Sequence, residues 1–248
     1  MMHQEYRRLW KNAGYSTMMG SAEVVKPPPK PLRRVYHMCS AEHGVSNIEL
    51  SRMKISRFSD LNDPFELLAL NLREKKVRRT LKNFKADYDS QTGLVCFSGD
   101  WTNPVLWSHY ANKHKGICLG FDVDEANLKD VEYREDLILP ELQGDTIVEN
   151  LNKSLRGLLI KTKYKHWEYE DERRLFISLD NKEKYDGLYF LNFGETLKLR
   201  EVVLGPLCSL NLRHVRATVN HHHSGVTTFK ARLAFKFFKV VPDARTVP

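Results

Sequence analysis

Two short stretches of this 248-residue chain concentrate side chains able to do chemistry. The first, WTNPVLWSHYANKHKGICLGFD (101–122), carries two tryptophans, two histidines and a tyrosine ahead of an apolar run. On a helix, Trp107, Tyr110, Ala111 and His114 fall at i, i+3, i+4 and i+7, which is one face, while Ser108 and His109 point elsewhere. Such a face is either core or one wall of a pocket. The second, KHWEYEDERRLF (165–176), alternates Glu168, Glu170 and Glu172 before Arg173 and Arg174. With strand spacing, Glu170 and Glu172 share a face with Arg174, opposite Trp167, Tyr169 and Arg173. Alternating carboxylates repel unless cations or ligand hydroxyls lie nearby. A carboxylate beside aromatic rings at a strand edge can bind ribose hydroxyls and stabilise the positive charge that develops in glycosyl transfer. The alternative is a solvated edge whose acids pair with Arg173, Arg174 or Lys165.

Other constellations point away from chemistry. His109 and His114 are five apart, about 140° around a helix, so they do not share an ion as i, i+4 histidines do. His221, His222 and His223 are adjacent and splay. No metal site is expected. In NDPFE (62–66), Asp63 reads as a helix N-cap with Glu66 as its capping-box partner. P-loop, dinucleotide-fingerprint, nucleophile-elbow and zinc-protease motifs are missing from the sequence, which disfavours those enzyme classes. The four cysteines (Cys39, Cys96, Cys118, Cys208) are scattered and read as reduced thiols of a cytoplasmic protein.

The elements that must position these groups follow from pattern. Hydrophobic residues are 42% and charged residues 28%, ordinary for a globular domain, and no apolar run reaches membrane-spanning length. The net charge of +8 is concentrated: residues 1–34 hold seven Lys/Arg against two acids, and include KPPPKP. Residues 1–34 read as a basic, proline-rich tail and 35–248 as one globular domain. Strands are expected at 35–39, 94–98, 117–123, 173–179, 197–205 and 231–241, and a helix running into a strand at 46–56. Residues 58–66 read as a loop. Helices are expected over 65–86, 104–116 with Gly116 just past its end, 146–165 and 209–223. The fold class is α+β, with a mixed or antiparallel central sheet and flanking helices. Within 73–85, Val77, Leu81 and Phe84 make an apolar stripe opposite a basic face. That face is either a solvated surface or a landing strip for phosphates through Lys75, Lys76, Arg78, Arg79 and Lys82. The block 122–145 counterbalances it with nine acids.

The runs FSDLNDPFE, CFS with NPVLWSHYANKHKGICLGFD, and KHWEYEDERRLF, in that order, resemble the bacterial domain of unknown function 2971. Its members carry NDPF(D/E), CFS, MWSHYA..HKG..LGFD and W.YE.E.R. The resemblance covers roughly residues 35–241; Val105-Leu106 stands where the family often has Leu-Met. The layout is also similar to the ADP-ribosyltransferase fold, with Tyr36-His37 near the first strand and a late glutamate on a strand. In that superfamily a histidine and a tyrosine hold the nicotinamide end of NAD and a glutamate stabilises the ribosyl cation. The resemblance therefore implies NAD as cofactor and roles for His37, Tyr110 and Glu170 or Glu172.

The resulting expectation is a bacterial effector-type enzyme, an NAD-dependent ADP-ribosyltransferase of a toxin or antiphage system. Glu170, Glu172, His109, Tyr110 and His37 are the catalytic candidates. Tyr36, Trp107, Ser108, His114 and Trp167 are the cofactor-binding candidates, with Arg173 or Lys165 on phosphate. The alternatives are a non-catalytic nucleic-acid or nucleotide-binding module, and a metal-independent nuclease using His109 with Glu170. The tail is the expected contact for a partner protein, and no membrane partner is expected. The enzymatic reading requires the segments 107–114 and 168–174 to converge on one cavity.

Overall fold

The computed structural model describes residues 24–138, 153–180, 182 and 184–248. Its centre is an eight-stranded sheet in the order β12-β11-β10-β4-β1-β3-β8-β5. These strands are β1 (Leu32–Cys39), β3 (Thr92–Ser98), β4 (Ile117–Asp124), β5 (Leu128–Asp130), β8 (Glu172–Ser178), β10 (Lys198–Leu204), β11 (Thr227–Leu233) and β12 (Val240–Pro242). Neighbours are antiparallel except β10 and β11. The sheet is therefore mixed, within an α+β fold. Two small sheets pair β2 (Arg52–Ile55) with β9 (Tyr189–Asn192), and β6 (Glu132–Arg134) with β7 (Thr162–Tyr164). The helices are α1 (Ala41–Glu49), α2 (Lys75–Gln91), α3 (Pro104–Tyr110), α4 (Lys153–Leu159) and α5 (Leu212–His222).

Both faces of the sheet are covered, which is why β4 reads as an unbroken apolar run. Ile117, Leu119 and Phe121 pack with Ile48 of α1 and Val215 and Val219 of α5. Cys118 and Val203 lie on the other face with Trp101, Trp107 and Phe229. A separate cluster packs Val77, Leu81 and Phe84 of α2 on Leu94, Phe58 and Leu159. The amphipathic stripe of α2 is thus the buried one. No described helix is long and apolar enough to cross a membrane.

One seam positions everything that follows. β1 pairs with β4 along its whole length, and β3 pairs with β8 at every residue, but β1 and β3 meet only at Tyr36 and Ser98. The sheet splits there. His37 spans the gap, its Nδ1 lying 3.0 Å from the Cys96 carbonyl.

Several expected elements differ. β1 begins at Leu32, three residues ahead of the expected start of the folded body, because Leu32, Arg33 and Arg34 pair with Asp124, Val123 and Asp122. No helix follows NDPFE: Pro64 and the left-handed Leu67 (φ 63°) keep the chain in turns until Lys75. Asp63 accepts from the Phe65 amide in a local turn, and Glu66 caps nothing. α3 stops at Tyr110, since Asn112, Lys113 and His114 are all left-handed (φ 45°, 54° and 68°). Gly116 is not a helix cap; a Cβ there would stand 2.0 Å from the Cys39 carbonyl, so glycine is required by close packing. Of the helix expected over 146–165, residues 146–152 lie outside the described residues, 153–159 are helical and 162–164 are β7. The segment 165–170 is a 3-10 turn rather than strand. The strand expected over 231–241 breaks at Ala234, whose amide donates to the Lys239 carbonyl at 2.9 Å.

Candidate functional site

The split between β1 and β3 opens into a cavity of about 130 Å³. β1 contributes Tyr36, His37 and Met38, and β3 contributes Cys96, Phe97 and Ser98. The turn 58–67 adds Leu61, Asn62 and Glu66; α3 adds Leu106 and Tyr110; β7 adds Lys163. Glu170 and Glu172 close the remaining side. The lining is apolar at one end and densely charged at the other.

The charged end is a buried network. Lys163 Nζ donates to Glu170 Oε2 at 2.5 Å and to Glu172 Oε2 at 3.2 Å. Arg174 is fully buried, bonding Glu172 Oε1 through Nε at 2.8 Å and gripping both oxygens of Glu66 at 2.6 and 3.0 Å. Tyr110 donates its hydroxyl to Glu170 Oε1 and receives the Asn62 amide at 2.9 Å. The ammonium of Lys163 also lies 4.7 Å from the centre of the Trp167 ring.

Local geometry brings Glu170 and Glu172 together. Strand alternation aims Glu172 and Arg174 to one side, but Glu170 lies before the strand. The left-handed Asp171 (φ 45°) turns the chain so that both carboxylates reach one ammonium. Gly99 holds this corner: its amide donates to the Asp171 carbonyl at 2.9 Å, and a Cβ would sit 2.1 Å from Asp171 Oδ2. α3 is tied to the same turn, because Asn103 caps it through the Val105 amide and donates its own amide to the Tyr169 carbonyl.

Titration behaviour follows from burial set against these partners. Desolvation would raise Glu172, but Arg174 and Lys163 outweigh it and hold the carboxyl down at about 2. For Glu170 and Glu66 desolvation wins and both are raised despite Lys163 and Arg174. Burial works against the Lys163 cation, yet Glu172 and Glu170 raise it overall. Burial lowers His37, which stays neutral at pH 7. Since its Nδ1 faces a carbonyl, that nitrogen carries the hydrogen and Nε2 is an acceptor. Buried ion networks are weak stabilisers compared with apolar packing, so one that lines a cavity is better read as a working site.

Of the sequence candidates, Tyr36, His37, Tyr110, Glu170 and Glu172 line the cavity. Trp167 stands just outside it beneath Lys163. Trp107 does not line it: the ring is fully buried in the cluster with Trp101 and Phe229, with Nε1 donating to the Trp101 carbonyl at 2.6 Å. Ser108 and His109 are exposed, and His109 stacks on Tyr169 rather than meeting Glu170. His114 sits in the left-handed turn beyond α3. Arg173 faces away from the site and pairs with Asp130 and Asp171, while Lys165 pairs with Glu168. Neither lines the cavity.

Sequence reasoning missed Lys163, Glu66 and Asn62. The signal for Lys163 was present, since clustered Glu170 and Glu172 demand cations; the answer lay seven and nine residues upstream. Glu66 was hidden because its spacing from Asp63 also satisfies a capping box.

Residues 106–175 match the family model described as a protein of unknown function (DUF2971). No curated protein and no solved structure matches the chain. The matched segment runs from Leu106 of α3 to Leu175 of β8 and includes Tyr110, Lys163, Glu170, Glu172 and Arg174 of the charged network, while Glu66 and the β1 and β3 walls of the cavity lie ahead of it. Over these residues the chain is similar to the DUF2971 family.

Proposed function

We propose that this protein is a glycosyl-transfer enzyme of the ADP-ribosyl type, which takes the nicotinamide ring of NAD into the split between β1 and β3. The observation that carries this reading is the Tyr110–Glu170–Lys163 chain at the charged end of a ring-sized cavity. A dry cavity of roughly 150 Å³ admits benzene, so about 130 Å³ suits one six-membered ring and little more. Glu66, Glu170 and Glu172 stand against Lys163 and Arg174, leaving one net negative charge in a desolvated, aromatic-lined space. That environment favours a cationic ring over a neutral or anionic one.

When bound, NAD supplies an ADP-ribosyl group on a cationic ring that leaves neutral. The chain's own residues supply the rest. His37 Nε2 is an acceptor in the wall for an amide N–H. Glu170 presents a carboxylate to positive charge growing beside the ring, and Tyr110 and Lys163 fix its orientation. Asn62 orients the Tyr110 hydroxyl from the mouth. Diphosphate contacts are not assigned to Arg173 or Lys165.

The test is nicotinamide release from labelled NAD by the wild type and by Glu170→Gln, with transfer to protein, RNA or DNA followed in parallel. Release by wild type and its loss in the variant support the reading. No release together with no saturable binding of NAD or nicotinamide overturns it. An effector role predicts that wild-type expression arrests bacterial growth and that Glu170→Gln does not.

A second reading rests on α2. Its outer face exposes Lys75, Lys76, Arg78, Arg79 and Lys82, and a surface cavity of about 410 Å³ is lined by Arg78, Lys82 and Lys85. A nucleic-acid module working there would lose affinity steeply with salt and would be indifferent to Glu170→Gln.

A further inference from the structure

Between β11 and β12 the chain makes a six-residue turn, Ala234 to Lys239, closed by its own backbone. Phe235 is 90% exposed and Phe238 99% exposed, while Leu233 at the turn's base is 54% exposed. Four other phenylalanines, Phe58, Phe97, Phe121 and Phe229, are at most 2% exposed, and Phe65, the other exposed one, is 54% exposed. Leaving two rings bare on a projecting turn forgoes the burial that stabilises the rest of the fold, and adjoining bare apolar groups mark contact sites.

The surrounding charge says what the contact is. Arg232, Lys236 and Lys239 interleave with the rings, and residues 231–242 contain no acid. The guanidinium of Arg232 lies 4.4 Å from the centre of the Phe235 ring. We infer that the β11–β12 turn docks on an anionic lipid surface, Phe235 and Phe238 entering the headgroup boundary while Arg232, Lys236 and Lys239 meet lipid phosphates. An apolar tip within a cationic collar is the pattern of interfacial membrane anchoring, in which buried apolar area and attraction to anionic lipid add. Single-stranded nucleic acid fits less well, because base stacking uses open ring faces along a groove. Here one face of Phe235 is taken by Arg232 and the rings stand on a turn. β11 lies three strands from β1, about 15 Å across the sheet, so the turn is separate from the split.

Co-sedimentation of the full chain with vesicles tests this, using phosphatidylcholine alone and phosphatidylcholine with about 30% phosphatidylserine. Wild type is expected to sediment with the anionic vesicles and not the neutral ones, and less so at about 0.5 M salt. Phe235→Ser/Phe238→Ser and Lys236→Glu/Lys239→Glu are each expected to lower partition about tenfold or more, with unchanged melting and unchanged nicotinamide release. Undiminished partition of the phenylalanine double variant overturns the inference. So does lipid-free self-association, or poly(U) binding without vesicle binding, that the double variant abolishes; these outcomes assign the turn to a second copy or to nucleic acid.

Discussion

Tyr110 and Glu170 are 60 positions apart in the chain, and the phenol of one donates to the carboxylate of the other. The second oxygen of the same carboxylate receives Lys163. Glu170 is thereby held from two sides, by α3 and by β7, next to a cavity of one ring's volume. Helix, strand and turn are each ordinary; their meeting at one carboxylate is what makes a site.

Glu170→Gln tests that meeting point. The amide still accepts from Tyr110, and Lys163 keeps Glu172 at 3.2 Å. Thermal melting is expected to shift by no more than a few degrees. NAD turnover is expected to fall about 10²- to 10³-fold, the scale of losing one electrostatic partner. Calorimetry and a nicotinamide-release assay read the two effects separately.

Arg174→Met should act on stability. It leaves Glu66 and Glu172 buried without their shared cation, a situation that costs about 3–5 kcal/mol. The urea unfolding midpoint should drop accordingly. A midpoint within error of wild type would mean that the network is not buried as described.

The dependence of stability on pH has a defined sign. Glu172 titrates at about 2 when folded against an ordinary 4.5, so its stabilisation is complete above 4.5 and is lost as pH falls toward 2. Glu66 and Glu170 run the other way: burial raises both, so their ionisation penalises the folded state above 4.5 and acidification relieves it. These three groups together should hold or increase stability from pH 7 to 4.5 and reduce it below. Denaturant unfolding across this range should show a shallower acid limb in Glu172→Gln than in wild type.

Asn103→Ala removes the cap of α3 and its link to the Tyr169 carbonyl in one change. The expected stability loss is about 1 kcal/mol. Because Tyr110 rides on α3 and Glu170 on the tethered turn, kcat for nicotinamide release should fall more than KM rises. An unaltered kcat would show that the tether does not position the pair.

Gly116→Ala should cost about 1–3 kcal/mol, since its Cβ would stand 2.0 Å from the Cys39 carbonyl. The same change at Gly157, where a Cβ meets nothing within 4 Å, is the control and should be neutral or mildly stabilising. Thermal melting of the two variants separates close packing from backbone freedom.

What the sequence determined by itself was local and periodic. The apolar runs of β3, β4 and β10, the stripe of α2 and the α+β mixture all follow from short-range patterns that burial on one or both faces imposes. The aromatic segment around Tyr110 and the glutamates around 170 were legible as chemistry because their residue types are demanding wherever they occur. Which side chains meet was decided by tertiary structure. The periodicity that put Trp107 and Tyr110 on one face could not say that core claims the first and the cavity the second. A carboxylate at Glu66 fits a cap as well as a salt bridge until Arg174, more than a hundred positions away, is brought beside it. The opening of β1 from β3 is a property of strand pairing, set by how long each strand stays in register with its neighbours, and no residue type announces it. Long-range register and the pairing of buried charges are global compromises between desolvation and contact, and for that reason they appear only once the chain is folded.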